Sequence, residues 1–350
     1  MRLPILSQMT DCLPPGTTSV HPNGRDVLCV DPTNPKQFLV YELRLDGSYA
    51  LRYRQDVVGK LVSMQNNPCW WERENGAVQI AYCCTYPPGG ETWITELRAV
   101  VYPPFSAKGE ETGELQLGWS AFPRGRQLTA MGTTPEAVWT GDSAGQVREW
   151  RLSALHRRSI WQVHGRVDRL APESGGGYIA VLHGTGLASG SHSSPMVLDS
   201  PYQYLVSILN PKRGEADEKQ FPGVCWNMWW NERCLTIFSS NGLHDRHGRI
   251  VHPACTVAAG CPDSSLVATY TELNQSVQIL CIRGVGRAQP IAYCPLPPGV
   301  VPGALWWAQE GAYLLAGAPD GPVVFAPPAW QPIALAAYLG ALPAAPPAAP

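Results

Sequence analysis

Short runs of apolar residues, separated by turn residues, recur along the whole chain. Each recurring unit has an apolar strand, a turn containing Gly, Asn or Asp, a second apolar strand and a third that ends in an aromatic or apolar pair. Runs of this length, rich in Val, Ile, Leu, Tyr and Trp, indicate β-strands, and the turns recur too often for long helices. The pattern therefore predicts an all-β protein built from repeated antiparallel units.

Three copies of the unit are clear, at residues 127–152, 256–282 and 303–327. Weaker copies fill the remaining chain, at residues 19–43, 61–100, 163–209 and 224–254. About seven units at this spacing predict a single β-propeller of about seven four-stranded blades. A pair of β-sandwiches or another all-β solenoid is the alternative.

The unit at residues 127–152 resembles a WD repeat, with Glu149-Trp150 standing where a Trp-Asp pair closes the repeat. His164-Gly165 reverses the Gly-His pair of that family, and no intact Trp-Asp pair closes any unit. The resemblance covers most of the chain and concerns its architecture. It implies a rigid disc that holds other proteins, as WD-like propellers do.

The units divide the chain into three regions. An N-terminal segment occupies residues 1–15, the propeller residues 16–330, and a short apolar segment with a Pro/Ala-rich tail residues 331–350. Two charged stretches, residues 103–114 and 210–220, are expected to be solvated connections between blades.

Charge and cysteine content narrow the partners and the compartment. The 26 basic and 28 acidic residues are mixed along the chain, so no basic field attracts nucleic acid. No apolar tract is long enough to span a bilayer, and the first residues lack a signal-peptide pattern. The odd number of 11 cysteines, many inside strand-like runs, indicates buried thiols in a reducing compartment, which favours the cytoplasm and leaves a virion open.

One segment carries several side chains that bind metals. These are His244, His247, His252, Cys255 and Cys261. The spacing is not that of paired zinc knuckles, and the repeat places the first two in a hairpin loop and the third and fourth on opposite faces of a strand. We therefore predict no metal and no cofactor, with zinc at this segment as the weaker hypothesis.

No motif for nucleophilic or phosphate chemistry is present, so we predict a protein that is not an enzyme. Enzymatic propellers gather polar side chains from several blades at the central channel. Candidates for such a cluster are Asp142, His183, Asp199, Asp263 and Glu272. The adjacent pair Cys83-Cys84 is expected to place one thiol in the core and one at the surface.

Tryptophans recur near the first strands of three units. They are Trp70, Trp71, Trp226, Trp229, Trp230, Trp306 and Trp307. In each adjacent pair the two rings should point to opposite faces of the strand, so one ring is expected to be exposed and available for a protein interface. Packing between blades is the alternative for the whole set.

These observations predict a non-catalytic scaffold that binds other proteins as a structural subunit of a larger assembly, either an intracellular complex or a virion. The rival hypothesis is a propeller that binds a small molecule or glycan with acidic residues at its channel, with or without hydrolysing it. Carboxylates that converge at one channel mouth would favour the rival, and an apolar channel would favour the scaffold.

Overall fold

A computed structural model describes most of the chain. The described residues are 13–14, 16–31, 33–64, 66–73, 76–86, 92–102, 114–123, 126–151, 160–185, 203–221, 224–231, 234–261, 264–273, 275–282, 288–327 and 330–342. Within them the strands form seven antiparallel sheets, each made of consecutive chain segments.

Each sheet is one blade, and its strands run in chain order from the axis to the rim. Blade 1 consists of β1 Thr17–Val20, β2 Asp26–Val30, β3 Gln37–Leu43 and β4 Tyr49–Asp56. Blade 2 consists of β5 Lys60–Leu61, β6 Cys69–Glu72, β7 Val78–Tyr86, β8 Thr92–Tyr102 and β9 Glu114–Pro123. Blade 3 consists of β10 Leu128–Thr134, β11 Ala137–Asp142, β12 Gln146–Arg151 and β13 Ile160–Gln162. Blades 4 and 5 consist of β14 Arg166–Pro172, β15 Ile179–Thr185, β16 Gln203–Asn210 and β17 Glu215–Phe221; and β18 Cys225–Asn231, β19 Cys234–Ser239, β20 Gly242–Asp245 and β21 Ile250–His252. Blades 6 and 7 consist of β22 Val257–Gly260, β23 Leu266–Tyr270, β24 Ser276–Cys281 and β25 Gln289–Pro295; and β26 Ala304–Ala308, β27 Tyr313–Gly317, β28 Val323–Ala326 and β29 Gln331–Ile333.

The prediction of an all-β propeller with about seven four-stranded blades is confirmed. The first strands of neighbouring blades pack side by side around the axis. In blade 3 the indole N–H of Trp150, in the unit that resembles a WD repeat by sequence, donates to Thr140 Oγ1 at 2.9 Å. Both residues are buried.

The middle strands have continuous apolar sequences, because each blade is covered on both faces by its neighbours. In β11 every residue from Ala137 to Asp142 is buried, and in β2 only the last residue is partly exposed. The outermost strands face water instead. All but the last residue of β17 are exposed, and their sequence is correspondingly polar.

The charged stretch at residues 210–220 was expected to connect two blades, and this expectation is wrong. It forms the turn of the β16–β17 hairpin and then β17 itself, so it lies inside blade 4. An outermost strand has one face and one edge in water, and a polar sequence therefore fits it as well as it fits a loop. Most of the other charged stretch, at residues 103–113, lies outside the described residues.

Blade 2 interrupts its innermost strand. Both β5 and β6 pair with β7, and the chain between them leaves the sheet. The carboxamide of Asn67 replaces the missing ladder: its Nδ2 donates to Val62 O at 2.7 Å and Cys83 O at 2.9 Å, and its Oδ1 accepts from Cys83 N at 2.8 Å. Asn67 is buried, and these three bonds link the interrupted strand to β7.

The ring closes between blades 7 and 1 without sharing a strand, because blade 7 supplies its own outermost strand, β29. The closing contacts are a bond from Gln309 N to Pro22 O at 2.8 Å and a bond from the Tyr338 hydroxyl to Asn23 O at 3.0 Å. Tyr338 belongs to helix α1, Leu335–Ala341, and is fully buried. A methyl group at Gly24 would overlap its hydroxyl, so only glycine fits there.

Strand β29 and helix α1 lie in the region that we assigned to the C-terminal segment at residues 331–350, so the last blade continues beyond residue 330. The apolar segment is a helix packed on the propeller, with Tyr338, Leu339 and Leu342 buried against blades 7 and 1. Among the described residues no helix is long and apolar enough to cross a membrane.

The bridging role of Asn67 predicts a large cost for its removal. We expect Asn67→Ala to lower the free energy of unfolding by about 3 kcal/mol, because it leaves Val62 O and Cys83 N without the partner that Asn67 supplies and removes one of the two bonds to Cys83 O. Urea unfolding of the variant checks this. Asn34→Ala is the matched control, because Asn34 Oδ1 accepts one backbone bond in an exposed turn. Equal losses in the two variants would contradict the role of Asn67.

The closure predicts that the aromatic ring of Tyr338 matters more than its hydroxyl. We expect Tyr338→Ala to cost about 3–5 kcal/mol of unfolding free energy, since it empties a buried site, and Tyr338→Phe about 1 kcal/mol. Urea unfolding of both variants measures the difference. If Tyr338→Ala costs no more than Tyr338→Phe, helix α1 does not hold the ring closed.

Candidate functional site

A cavity of about 400 Å³ lies inside the ring, between the first strands of the blades. Residues of six successive blades line it, from Val20 in blade 1 to Gly260 in blade 6. Most come from the ends of the first strands, next to the turns that lead to the second strands. We name this side of the disc, with turns such as residues 21–25 and 173–178, the AB face.

The described lining of the cavity is apolar or neutral and polar. It consists of Ser19, Val20, Pro22, Asn66, Cys69, Trp70, Gly132, Thr133, Leu170, Ala171, Pro172, Ser174, Asn227, Met228, Trp229, Trp230 and Gly260. None of these side chains carries a charge at neutral pH. A cavity of this size and chemistry can hold an uncharged group of a ligand. A charged group would lose its hydration there and find no opposite charge to replace it.

Blades 2 and 5 each contribute an asparagine and tryptophan to the cavity. Blade 2 supplies Asn66 and Trp70, and blade 5 supplies Asn227 with Trp229 and Trp230. These blades are separated by two blades on one side of the ring and by three on the other. The two sets therefore lie almost opposite each other across the axis.

The two asparagines offer complementary groups. Asn66 Nδ2 donates to Met131 O at 3.3 Å, which leaves its Oδ1 without a partner among the described residues. Asn227 Oδ1 accepts from Met228 N at 2.9 Å, which leaves its Nδ2 as the group without one. One side of the cavity thus has a wholly free acceptor and the opposite side a wholly free donor, while the second hydrogen of Asn66 Nδ2 and the second lone pair of Asn227 Oδ1 remain as well.

Asn66 reaches the cavity because of the interruption in blade 2. It lies within the segment between β5 and β6, has φ of 57°, and immediately precedes the bridging Asn67. Left-handed backbone of this kind favours Asn or Gly. The bridge at Asn67 therefore fixes the position of the side chain that lines the cavity.

The expectation of one exposed ring in each tryptophan pair is wrong. Trp70, Trp71, Trp230, Trp306 and Trp307 are buried, and Trp226 and Trp229 are only partly exposed. A strand inside a blade is covered on both faces, so opposite orientations lead to two buried environments. Only Trp70, Trp229 and Trp230 line the cavity.

Packing between blades, the alternative for these residues, is found in three places. The indole N–H groups of Trp71, Trp230 and Trp307 each donate to a carbonyl oxygen of an adjacent blade, at 2.7, 2.7 and 3.0 Å. Trp226 packs edge-on against Phe238, with ring centroids 4.8 Å apart. These tryptophans stabilise the ring.

Tyr178 and the two asparagines were missed by the sequence analysis. Tyr178 lies on the AB face beside the cavity, is 42% exposed, and stacks on Trp230 with ring centroids 6.0 Å apart. Its sequence context, a glycine-rich turn before a strand, indicates only a loop. For Asn66, the run of two asparagines and a proline was a usable signal, because such a run breaks a strand.

The polar residues proposed for a catalytic channel do not line this cavity. Asp142 is buried and pairs with Arg126 at 2.7 Å and Arg148 at 3.4 Å. His183 is buried in blade 4, and Glu272 lies in an exposed turn. Asp199 and Asp263 lie outside the described residues.

The five metal candidates are dispersed, and no three such side chains come together in the described part of the chain. His244 is not in a loop: it lies in β20, buried, with Nε2 2.8 Å from Ser239 Oγ. His247 Nε2 accepts from Arg246 Nε at 3.1 Å. His252 ends β21, whereas Cys255 lies beyond that strand, because the strand stops before Pro253.

Cys255 and Cys261 belong to different apolar clusters, and burial raises the pKa of the Cys255 thiol to about 12. The expectation that only one of Cys83 and Cys84 is in the core is also wrong, because both are fully buried. Cys83 faces blade 3 and Cys84 faces blade 1. Eight of the ten described cysteines are buried, and none of the ten is in a disulfide.

Comparison with known proteins adds two similar structures. The structure of U3-55K matches with a TM-score of 0.48 and 11% identity, covering 87% of this chain and 88% of that one. A chain of the mitotic checkpoint complex matches with a TM-score of 0.48 and 11% identity, covering 76% and 78%. No protein-family model and no curated protein matches the sequence. The propeller itself is shown by the strand pairing described above.

The surroundings of His183 predict a pH dependence of stability. Its Nδ1 lies 2.6 Å from His164 O and its Nε2 2.8 Å from Ser207 Oγ, while Glu218 Oε2 lies 3.4 Å from Nε2 and Asp168 is nearby. Burial outweighs these partners and lowers the pKa of the imidazole below 6.5. The folded state therefore takes up the proton less readily than the unfolded chain.

This contribution to stability is present above pH 6.5 and is lost as the pH falls below it. We expect His183→Gln to lose less unfolding free energy than the wild type between pH 7.5 and pH 5.5. Urea unfolding at stepped pH measures the slopes. His247→Gln is the control, because His247 is exposed. An unchanged slope in His183→Gln would refute the assignment.

Proposed function

We propose that the protein is a non-catalytic scaffold that binds other proteins through the AB face, as a subunit of a larger assembly inside the cell. The observation that carries the proposal is the uncharged cavity lined by Trp70, Trp229 and Trp230. Binding energy at protein interfaces concentrates in a few aromatic side chains around such pockets.

The chemistry of the cavity supports binding over hydrolysis. General acid–base catalysis needs a titratable side chain within reach of the substrate, and the described lining has only the thiol of Cys69. Burial raises the pKa of that thiol to about 12, which keeps it protonated and unreactive. The rival hypothesis of acidic residues at the channel therefore has no support from the placed candidates.

Two further features support the proposal, one for the AB face and one for the cellular compartment. Tyr178 is exposed beside the cavity and already stacked on Trp230, so it can contact a partner with little loss of side-chain entropy. The free, buried thiols are those of a protein kept in a reducing compartment.

Affinity purification of the tagged protein from its native source, at moderate salt, tests the proposal. We expect partner proteins at a fixed stoichiometry, and at least tenfold less of them with Tyr178→Ala. Tyr293→Ala is the matched control, because Tyr293 is an exposed tyrosine of the rim strand β25. A protein that purifies alone, or a Tyr178→Ala variant that retains its partners fully, would contradict binding through this face.

A further inference from the structure

The cavity also indicates which part of a partner it receives. Asn66 and Asn227 line the cavity from blades on opposite sides of the axis, with a free acceptor at Asn66 and a free donor at Asn227. An extended peptide presents both complementary groups along its main chain, a backbone N–H for the acceptor and a carbonyl for the donor. A compact helix has most of its backbone groups already paired and could not use both asparagines.

The walls between these asparagines set the side chain that can enter. Trp70 stands on one side and Trp229 and Trp230 on the other, while small residues such as Gly132, Ala171 and Gly260 form the remaining walls. No described lining residue carries a charge, so Asp, Glu, Lys or Arg would be buried without a partner, at a large cost. An apolar side chain gains free energy from the same surroundings.

We propose that an extended segment of a partner protein crosses the axis on the AB face between Asn66 and Asn227 and places an uncharged, apolar side chain in the cavity. The carboxamides bind the backbone of the segment, and the three indoles contact its side chain. This inference rests on the scaffold function and specifies its binding site.

Gly260 controls the shape of the cavity. A methyl group at this position would overlap the indole of Trp229. The backbone of Gly260 has no left-handed strain, so Gly260→Ala moves the indole without distorting the strand. It therefore changes the cavity while both asparagines stay in place.

Four pools of acetylated and amidated nonapeptides, random at eight positions, test the proposal. The central residue is fixed as Leu, Phe, Asp or Lys, and binding of the labelled pools to the full chain is measured by fluorescence anisotropy. We expect the Leu and Phe pools to bind at least tenfold more tightly than the Asp and Lys pools. Equal binding of all four, or no binding of any, overturns the proposal.

The double variant Asn66→Gly/Asn227→Ala tests the contribution of the backbone contacts. Glycine at position 66 keeps the positive φ while removing the carboxamide. We expect at least a tenfold loss of Leu-pool affinity in this variant and in Gly260→Ala, measured at a temperature at which the unfolding midpoint shows each variant to be folded. Gln220→Ala, on the exposed rim strand β17, is the control and should bind as the wild type does. Undiminished binding by the double variant overturns the proposal.

Partner capture separates this inference from the scaffold function. If the wild type captures partners and the double variant captures them equally well, the scaffold function stands and the cavity is not the site. If the wild type captures none while the Leu pool still binds at the asparagines, the site stands and the scaffold function fails. We expect the Leu pool to displace the captured partners.

Discussion

Packing of each blade against both neighbours is the constraint on which the rest of the structure depends. It gives every inner strand two buried faces, so apolar residues follow one another where a half-exposed sheet would alternate. Large aromatic residues then fill the space between blades, and their polar atoms need partners there. Trp71 and Trp230 meet this need by donating to Thr134 O and Ala171 O in the adjacent blades.

The same constraint explains what the sequence analysis predicted and what it missed. Apolar runs and turns identified the propeller because they depend on local chain periodicity. The tryptophan pairs and Cys83-Cys84 were misplaced because strand alternation predicts opposite faces and does not show that neighbouring blades cover both. The positions of Asn66 and Asn227 depend on the ring, since residues more than 150 positions apart meet only when blades 2 and 5 oppose each other.

Stability and site geometry are coupled in blade 2. Its first strand would otherwise run past the axis as a regular strand, and it would then present only alternate side chains to the cavity. The interruption brings Asn66 out of the ladder, and the carboxamide of Asn67 satisfies the backbone groups that the interruption exposes. A feature that weakens the sheet is thus compensated by the adjacent residue, which is typical of backbone irregularities at binding sites.

The rim strands explain why a partner would use the face of the disc. An open edge binds another strand only if it offers free backbone groups and lacks charge. Strand β17 carries four charged residues among its seven, and β25 and β29 contain the prolines Pro290, Pro295 and Pro332, which have no N–H to donate. These edges disfavour strand addition. The AB face, by contrast, has the exposed Tyr178 beside an uncharged cavity. It therefore offers a partner both apolar contact and hydrogen bonds to the partner's backbone.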